Sequence, residues 1–382
     1  LFSSFALDGE SPEPLPTSEI LNLVSWCLGG EFPAVLTDLK LRDFRCFAAL
    51  ECEFARGLNF IVGPNAQGKT SLLEAACVLL RLQSPRVQRL GNCLRHGGRG
   101  LVVDGHFGAR HLQFYFSARR KKLALDSVEQ AAADEYLKTA RVVWFGNTDV
   151  ELVRGSGEVR RRFLDFFGSQ IEPAHRAQLR KYERALRSRN HLLRQPAPRW
   201  REIAAFAPPL VEAGVALSAA RGRWTERLQP IAAQAHAEIS GRGEELQLHY
   251  QPGAPEDFAA ALLAAQGEDA RLRQTTLGPH RDELLLTLDG QPATLASEGQ
   301  QRTLALALKL AQARLLEEHF QTPPVLLLDD IFGELDKARR NALLGFLPET
   351  AQKIITTTHL DWVEEIATAS VQHLAGGKIS QK

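Results

Sequence analysis

Eight residues, Gly63-Pro64-Asn65-Ala66-Gln67-Gly68-Lys69-Thr70, carry the most specific chemistry in this chain of 382 residues. They fit G-x-x-x-x-G-K-[ST] between Leu58–Val62, which reads as a buried strand, and Lys69–Leu80, which reads as a helix; a phosphate-binding loop requires that context. Glycines let backbone amides wrap phosphate oxygens, the Lys69 ammonium reaches the β- and γ-phosphates, and the Thr70 hydroxyl is a magnesium ligand. Ser71, next on the helix, is counted in the same site. A second motif completes the chemistry. Pro324 to Leu328 is an apolar run ending in Asp329-Asp330, the arrangement by which a P-loop enzyme sets an acid beside its metal. Asp329 is assigned to magnesium and Asp330 to the attacking water. The implied cofactors are ATP and magnesium.

These motifs need a sheet to hold them. Leu50, Cys52 and Phe54 alternate with Glu51 and Glu53, the period-two pattern of a half-buried strand. Leu101–Phe116 reads as two strands about a glycine turn, and Arg141–Phe145 and Glu283–Leu288 as two more, the last followed by the turn pair Asp289-Gly290. Val325–Leu328 and Lys353–Thr357 have the compact apolar or β-branched character of buried parallel strands. Between about residues 150 and 275 the pattern turns helical, with Leu179, Tyr182, Leu186 and Leu193 near helical spacing among many arginines. Pro208 and Pro209 are expected to end or kink a helix. The fold expected is α/β, built from both ends of the chain: residues 36–148 and 277–382 form a nucleotide-binding lobe, and 149–276 a helical second lobe. Residues 1–35, rich in Pro, Ser and Glu, are expected to be a disordered or non-native extension.

Composition narrows the setting. A charged fraction of 24% and a net charge of +1 give an ordinary globular balance, so overall charge points to no polyanionic partner. Cys27, Cys46, Cys52, Cys77 and Cys93 are odd in number and lack metal-type spacing, which suits a reducing, cytoplasmic setting. No uninterrupted apolar run approaches the roughly 20 residues that span a bilayer, and the first residues lack the basic and apolar regions of a secretory leader.

A third stretch, Ser297-Glu298-Gly299-Gln300-Gln301-Arg302 before a Leu/Ala-rich helix, has two readings in isolation. It is a helix cap, with Ser297 accepting from a free amide, or an anion site formed by the helix terminus. Its order in the chain favours the second. P-loop, Ser297–Gln301, the Asp329-Asp330 strand, Gly333-Glu334-Leu335-Asp336 and His359 run in the sequence of ABC-type ATPase motifs: P-loop, signature, Walker B, D-loop and switch. That resemblance implies two heads sandwiching two ATP molecules, each γ-phosphate held by one P-loop and by the partner's Ser297, Gly299 and Gln300 region, with His359 as the switch residue. A transporter ATPase subunit is the alternative within this group, although its signature more often reads LSGGQ and it needs no Arg-rich helical insertion.

The wording is closer still to one family. LKLRDFRCF (Leu39–Phe47), GPNAQGKTSLLEA (Gly63–Ala75), LVRGSGEVRRRFLD (Leu152–Asp165), LGPHRDEL (Leu277–Leu284), SEGQQRTLALALKLA (Ser297–Ala311) and LLLDDIFGELD (Leu326–Asp336) resemble the RecF family of bacterial recombination mediators. The resemblance implies an SMC-like head with a helical second lobe and without a long coiled coil, ATP-dependent homodimerisation, DNA binding, slow hydrolysis as a switch, and cooperation with RecR in loading recombinase at gapped DNA. Gly146-Asn147-Thr148-Asp149 stands where the family usually has a Pro-Glu-Asp version, and Glu298 where a shorter or neutral residue is common. Asp330 follows Asp329 where transporters have Glu.

DNA binding requires a positive surface. From Arg81 to Lys122 there are ten Lys and Arg residues against one acid, Asp104. Arg95 and Arg99, in a glycine-containing loop, and Arg119, Arg120 and Lys121 are the candidates. A solvated charged face is the other reading of the same residues, and Arg160–Arg162 is a second candidate patch. Few aromatics interleave, which suits duplex backbone better than stacked single strands.

Overall fold

The computed structural model describes residues 34–241, 243–363 and 369–381; the extension expected over 1–35 falls outside these residues up to position 33. Val35, placed above in that extension, is buried, and its carbonyl accepts a hydrogen bond from Gly108 N. It belongs to the folded lobe.

Alternating burial builds the first sheet. β1 (Asp38–Phe44), β2 (Phe47–Glu53), β4 (Leu101–Phe107), β5 (Arg110–Phe116), β6 (Lys121–Leu125) and β7 (Val128–Glu129) pair antiparallel in the order β2-β1-β4-β5-β6-β7. The second sheet has the order β15-β14-β3-β13-β12-β8 and is parallel except at one edge. Its strands are β3 (Leu58–Val62), β8 (Val142–Gly146), β12 (Val325–Asp329), β13 (Lys353–Thr357), β14 (Ser370–Ala375) and β15 (Lys378–Gln381). These central strands are apolar on both faces because both faces are covered.

Among the described residues five helices exceed ten residues: α1 (Lys69–Arg81), α2 (Gly157–Ile171), α3 (Pro173–Leu193), α4 (Ala207–Ser240) and α5 (Glu298–Phe320). Helix α1 lies between the two sheets. Its Leu72, Ala76 and Leu79 share one core with Leu41, Val103 and Phe114 of the antiparallel sheet and with Ile61, Trp144 and Leu327 of the parallel sheet. On the far side Phe60, Val143, Phe145 and Leu328 pack with α2, α4 and α5. The switch of sides at each successive residue, Val142 and Trp144 against Val143 and Phe145, is the two-residue period of a strand. At its C-terminal end α1 is tied to both layers by Arg81, whose guanidinium donates to the carbonyls of Leu137 (2.8 Å), Ala140 (2.9 Å) and Ser169 (3.2 Å).

The helical lobe has its own small core, in which Tyr182 and Ala185 of α3 meet Leu210, Ala213 and Leu217 of α4. Pro208 and Pro209 start α4 rather than interrupt a longer helix, since first-turn amides need no intrahelical acceptor. Trp200–Ser240 is long and apolar enough, by length and composition, to cross a bilayer, a property that no run of consecutive apolar residues revealed; here Leu210, Leu217, Trp224 and Leu228 point into the protein cores. A buried ionic cluster locks the lobe. Arg221 of α4 pairs with Asp165 (2.7 Å) and Asp282 (2.8 Å), while Asp282 also accepts from Gly253 N and Tyr250 Oη. The FLD and HRDEL stretches thus hold the lobe together. A third sheet, β11-β10-β9, with β9 (Leu246–Gln251), β10 (Glu283–Leu288) and β11 (Gln291–Pro292), joins residues from both sides of the boundary expected at 276/277. Asp289 and Gly290 both have positive φ, at 50° and 72°, as a tight hairpin turn requires.

Candidate nucleotide site

The loop between β3 and α1 is shaped by two close approaches. An added Cβ on Gly63 would lie 2.2 Å from the Leu374 carbonyl oxygen, and one on Gly68 would lie 2.6 Å from both Cys46 Sγ and Phe47 Cζ. Gly68 also has φ of 99°, a backbone state open to glycine at little cost. Gln67 anchors the loop from outside, its Oε1 accepting from Gly376 N at 2.8 Å. The result is a cleft of about 310 Å3. Asn65, Ala66, Gly68, Lys69, Thr70 and Ser71 of the loop and helix start line it together with Cys46, Arg86, Asp329 and Asp330.

Within the cleft Lys69 Nζ donates to the carbonyls of Gly63 (2.6 Å) and Pro64 (2.9 Å). Burial pulls its pKa down, against the opposing pull of Asp330 and Asp329, so an added phosphate charge would favour the ammonium. Thr70 Oγ1 donates to Asp329 Oδ1 at 2.8 Å, and Thr356 Oγ1 donates to the same oxygen at 2.9 Å. Two hard oxygens 2.8 Å apart suit magnesium. Octahedral ligands at about 2.0–2.1 Å from the ion stand roughly 2.9 Å from their neighbours. Burial pushes the Asp329 carboxyl up, with Thr70, Thr356 and Arg86 opposing; burial pushes Asp330 up too, with Lys69 and His359 opposing. Both carboxylates are poised to gain from a cation.

Two side chains that motif reading left out of the site help build it. Thr356, on β13, bonds Asp329 and also accepts from Asp330 N at 3.1 Å. Arg86, counted above only in the basic stretch, lines the cleft and is held by Glu74, a buried residue of α1, at 3.2 Å. Glu74 also takes a two-pronged contact from Arg45 (2.7 and 2.8 Å) and a bond from Ser84 (2.5 Å). Burial alone would raise the Glu74 pKa, but these bonds and charges hold it below the usual carboxylate range. The only early signal for Arg86 was its basic neighbourhood.

Ser297, Gly299, Gln300 and His359 do not line the cleft. Ser297 caps α5 in a reciprocal box: its Oγ accepts from Gln300 N at 3.4 Å, and Gln300 Oε1 accepts from Ser297 N at 2.8 Å. Gln300 is further held by Glu244 (2.7 Å). The capping reading therefore holds, and it leaves the amides of Glu298 and Gly299 at an exposed helix start beside the Arg339 guanidinium, which would stand 3.4 Å from a Cβ on Gly299. Asp149, in the unusual Gly146–Asp149 segment, accepts from Gly146 N (2.8 Å) and pairs with Lys309 of α5 (3.2 Å). His359 is exposed, and its carbonyl accepts from Thr357 Oγ1 and Trp362 Nε1. Trp362 stacks on Phe332, 4.7 Å between centroids, so the segment after His359 packs on the residue that precedes Gly333.

Residues 35–376 match the family described as the RecF/RecN/SMC N terminal domain. The chain is 36% identical to the DNA replication and repair protein RecF of a Synechococcus species, covering 90% of this chain and 97% of that one. The Nostoc punctiforme RecF is 38% identical, over 85% and 93%. This chain belongs to the RecF family. A solved structure of the recombination mediator protein RecF with ATP, in the RecFOR pathway, superposes with a TM-score of 0.83 at 26% identity, over 92% of this chain and 99% of that one. The Smc head domain of Pyrococcus furiosus shares the fold, with a TM-score of 0.53 at 17% identity over 91% and 96%. RecF membership displaces the transporter-subunit alternative, and the SMC-like head expected from the motifs is the fold found.

Of the basic residues, Arg95 is engaged by Asp43 at 2.8 Å and Arg120 lies 4.0 Å from Glu129. Arg99, Arg119 and Lys121 are exposed. Arg160 is committed to Glu283 (2.7 Å) and Arg161 to the Asp282 carbonyl (2.6 Å), which removes most of the second candidate patch.

Proposed function

We propose that this chain is an ATP-dependent DNA-binding protein of recombinational repair that dimerises on ATP, acts with RecR to help load recombinase at gapped DNA, and uses slow hydrolysis as its release switch. One observation carries the reading. The P-loop cleft and the Ser297–Gly299 helix start are both formed but separate in a single chain, so a nucleotide meets both only when a second copy supplies one. Lys69 and the loop amides hold the β- and γ-phosphates. Thr70 and Asp329 are the residues that would hold magnesium, which supplies charge neutralisation at the phosphates. Asp330 orients the attacking water and accepts its proton, with His359 close enough to bias the Asp330 charge. The exposed signature amides and Arg339 receive the partner's γ-phosphate. The names of the RecF relatives support the repair and RecFOR setting.

The test is sedimentation or light scattering of the full chain with ADP, ATP and a slowly hydrolysed analogue, with and without DNA. Dimers are expected with ATP and the analogue, not with ADP, and Lys69→Ala should abolish them. A Lys69→Ala protein that dimerises at wild-type ATP concentrations rules out the assigned site.

A further inference from the structure

Three arginines on α3 form a row that the ion pairs of that helix leave out. Arg176, Arg180 and Arg184 stand four residues apart, on one face of the helix. None of the three has a carboxylate at ion-pair distance among the described residues, whereas Lys181 pairs with Glu212 (2.6 Å) and Arg187 with Glu183 (3.5 Å) on the same helix. Across the lobe boundary, the short helix Asp134–Lys138 packs on both α3 and β6, and the β5–β6 hairpin brings Lys121 within electrostatic reach of Arg176 and Arg180. Partial desolvation, then the charges of Arg176 and Arg180, hold the Lys121 ammonium below the usual lysine range. Desolvation and Arg180 likewise push Arg176 down to about 10, against the opposing pull of Asp134. Arg119, at the exposed tip of that hairpin, has no ion pair either.

Like charges at i and i+4 destabilise a helix by a few tenths of a kcal/mol per pair, so this row opposes folding; Asp134 offsets part of the charge of Arg176 from beyond ion-pair distance. Its geometry suits a repeating anion. Guanidiniums one turn apart extend over roughly 12 Å of helix, whereas a single phosphate needs donors that converge on one point. We propose that the backbone of duplex DNA runs along Arg176, Arg180 and Arg184 of α3 and across Lys121 and Arg119 of the β5–β6 hairpin. This rests on the DNA-binding reading above and fixes its location. The track bridges both lobes, so bound DNA touches the nucleotide lobe and the helical lobe together. The competing occupant is an acidic peptide with an apolar anchor, seated in the cleft of about 470 Å3 that Arg180 and Arg184 themselves line with Ala185, Phe206 and Pro209.

The experiment measures binding of a fluorescent duplex oligonucleotide to the full chain, with ATP, over a series of salt concentrations. Changing Arg176, Arg180 and Arg184 together to Gln should weaken binding about tenfold or more at low salt and reduce the slope of log K against log salt by about two to three, near 0.9 per lost phosphate contact. The corresponding Lys triple variant should recover most of both. Arg119→Gln with Lys121→Gln, on an exposed hairpin, should cost about one to two units of slope and guards against misfolding of the helix variant. Binding of a fluorescent ATP analogue should be unchanged throughout. Wild-type protein that binds duplex, with both Gln variants keeping its salt slope, overturns the track while leaving DNA binding intact, and makes the acidic peptide the occupant to pursue. Wild-type protein that does not bind duplex overturns the DNA-binding reading and the track with it.

Discussion

In the proposed hydrolysis, Asp330 serves turnover at the expense of the resting fold. Its φ of 54° lies in the left-handed region, which Asp and Asn enter far more readily than longer or branched side chains. This gives a backbone reason for Asp where transporters carry Glu. Its carboxyl is pushed up by burial more than Lys69 and His359 pull it down. The folded protein therefore holds the proton more tightly than the unfolded chain, and stability is lost as pH rises through the native pKa. Asp330→Asn keeps the backbone preference and removes the charge. It should raise the Tm of nucleotide-free protein by about 1–2 °C at neutral pH, a gain that shrinks as pH falls from the native pKa towards about 4 and is gone below that, where the wild-type carboxyl is protonated in both states. Calorimetry across that range checks the sign. The same variant should form the ATP dimer and fail to resolve it, because the basic carboxylate at the water is gone. Unchanged turnover would remove Asp330 from the chemistry.

At the scale of elements, the packing of α2 on α4 and the ionic cluster between them decide whether the helical lobe holds. A Cβ on Gly168 of α2 would lie 1.9 Å from ring atoms of Trp224 on α4, so Gly168→Ala should cost about 1–3 kcal/mol or more by overpacking. Arg221→Met leaves Asp165 and Asp282 buried without their shared cation and should cost about 3–5 kcal/mol. Urea unfolding measures both, and a near-neutral Arg221→Met would show that the cluster is dispensable. Neither effect was legible in the sequence. Gly168 looked like any helix glycine, and Arg221, Asp165 and Asp282 are far apart in the chain. What was legible is local: the alternation of β2, the apolar runs of β3, β12 and β13, the Asp289-Gly290 turn and the contiguous P-loop and Asp329-Asp330 motifs. Strands β9, β14 and β15 lack an apolar run of that kind, because each mixes polar and apolar residues. Thr356 and Arg86 were missed as site residues because tertiary contacts alone bring them to the cleft.

At the scale of the whole molecule, the proposed ATP dimer requires the two halves of a working site to come from different chains. Ser297 and Gln300 use their side chains on each other, so the cap preserves the helix start whether or not a partner is present, and the amides of Glu298 and Gly299 stay available. Ser297→Arg places a long cation at the docking point and removes the cap, a loss of about 1 kcal/mol that Ser297→Ala should reproduce without blocking the surface. Each Ser297→Arg monomer keeps its own P-loop and should bind ATP normally, yet form no ATP dimer. Lys69→Ala has the opposite defect, with a sound signature and a disabled loop. Mixed, the two can assemble one composite site from the Lys69 loop of the first and the Ser297 helix of the second, so turnover should appear that neither shows alone. Residues acting in one chain would give no such recovery, because each protein would keep its own defect. Wild-type turnover by Ser297→Arg alone would show that the signature helix does not act across the dimer, and the sandwich would have to be abandoned.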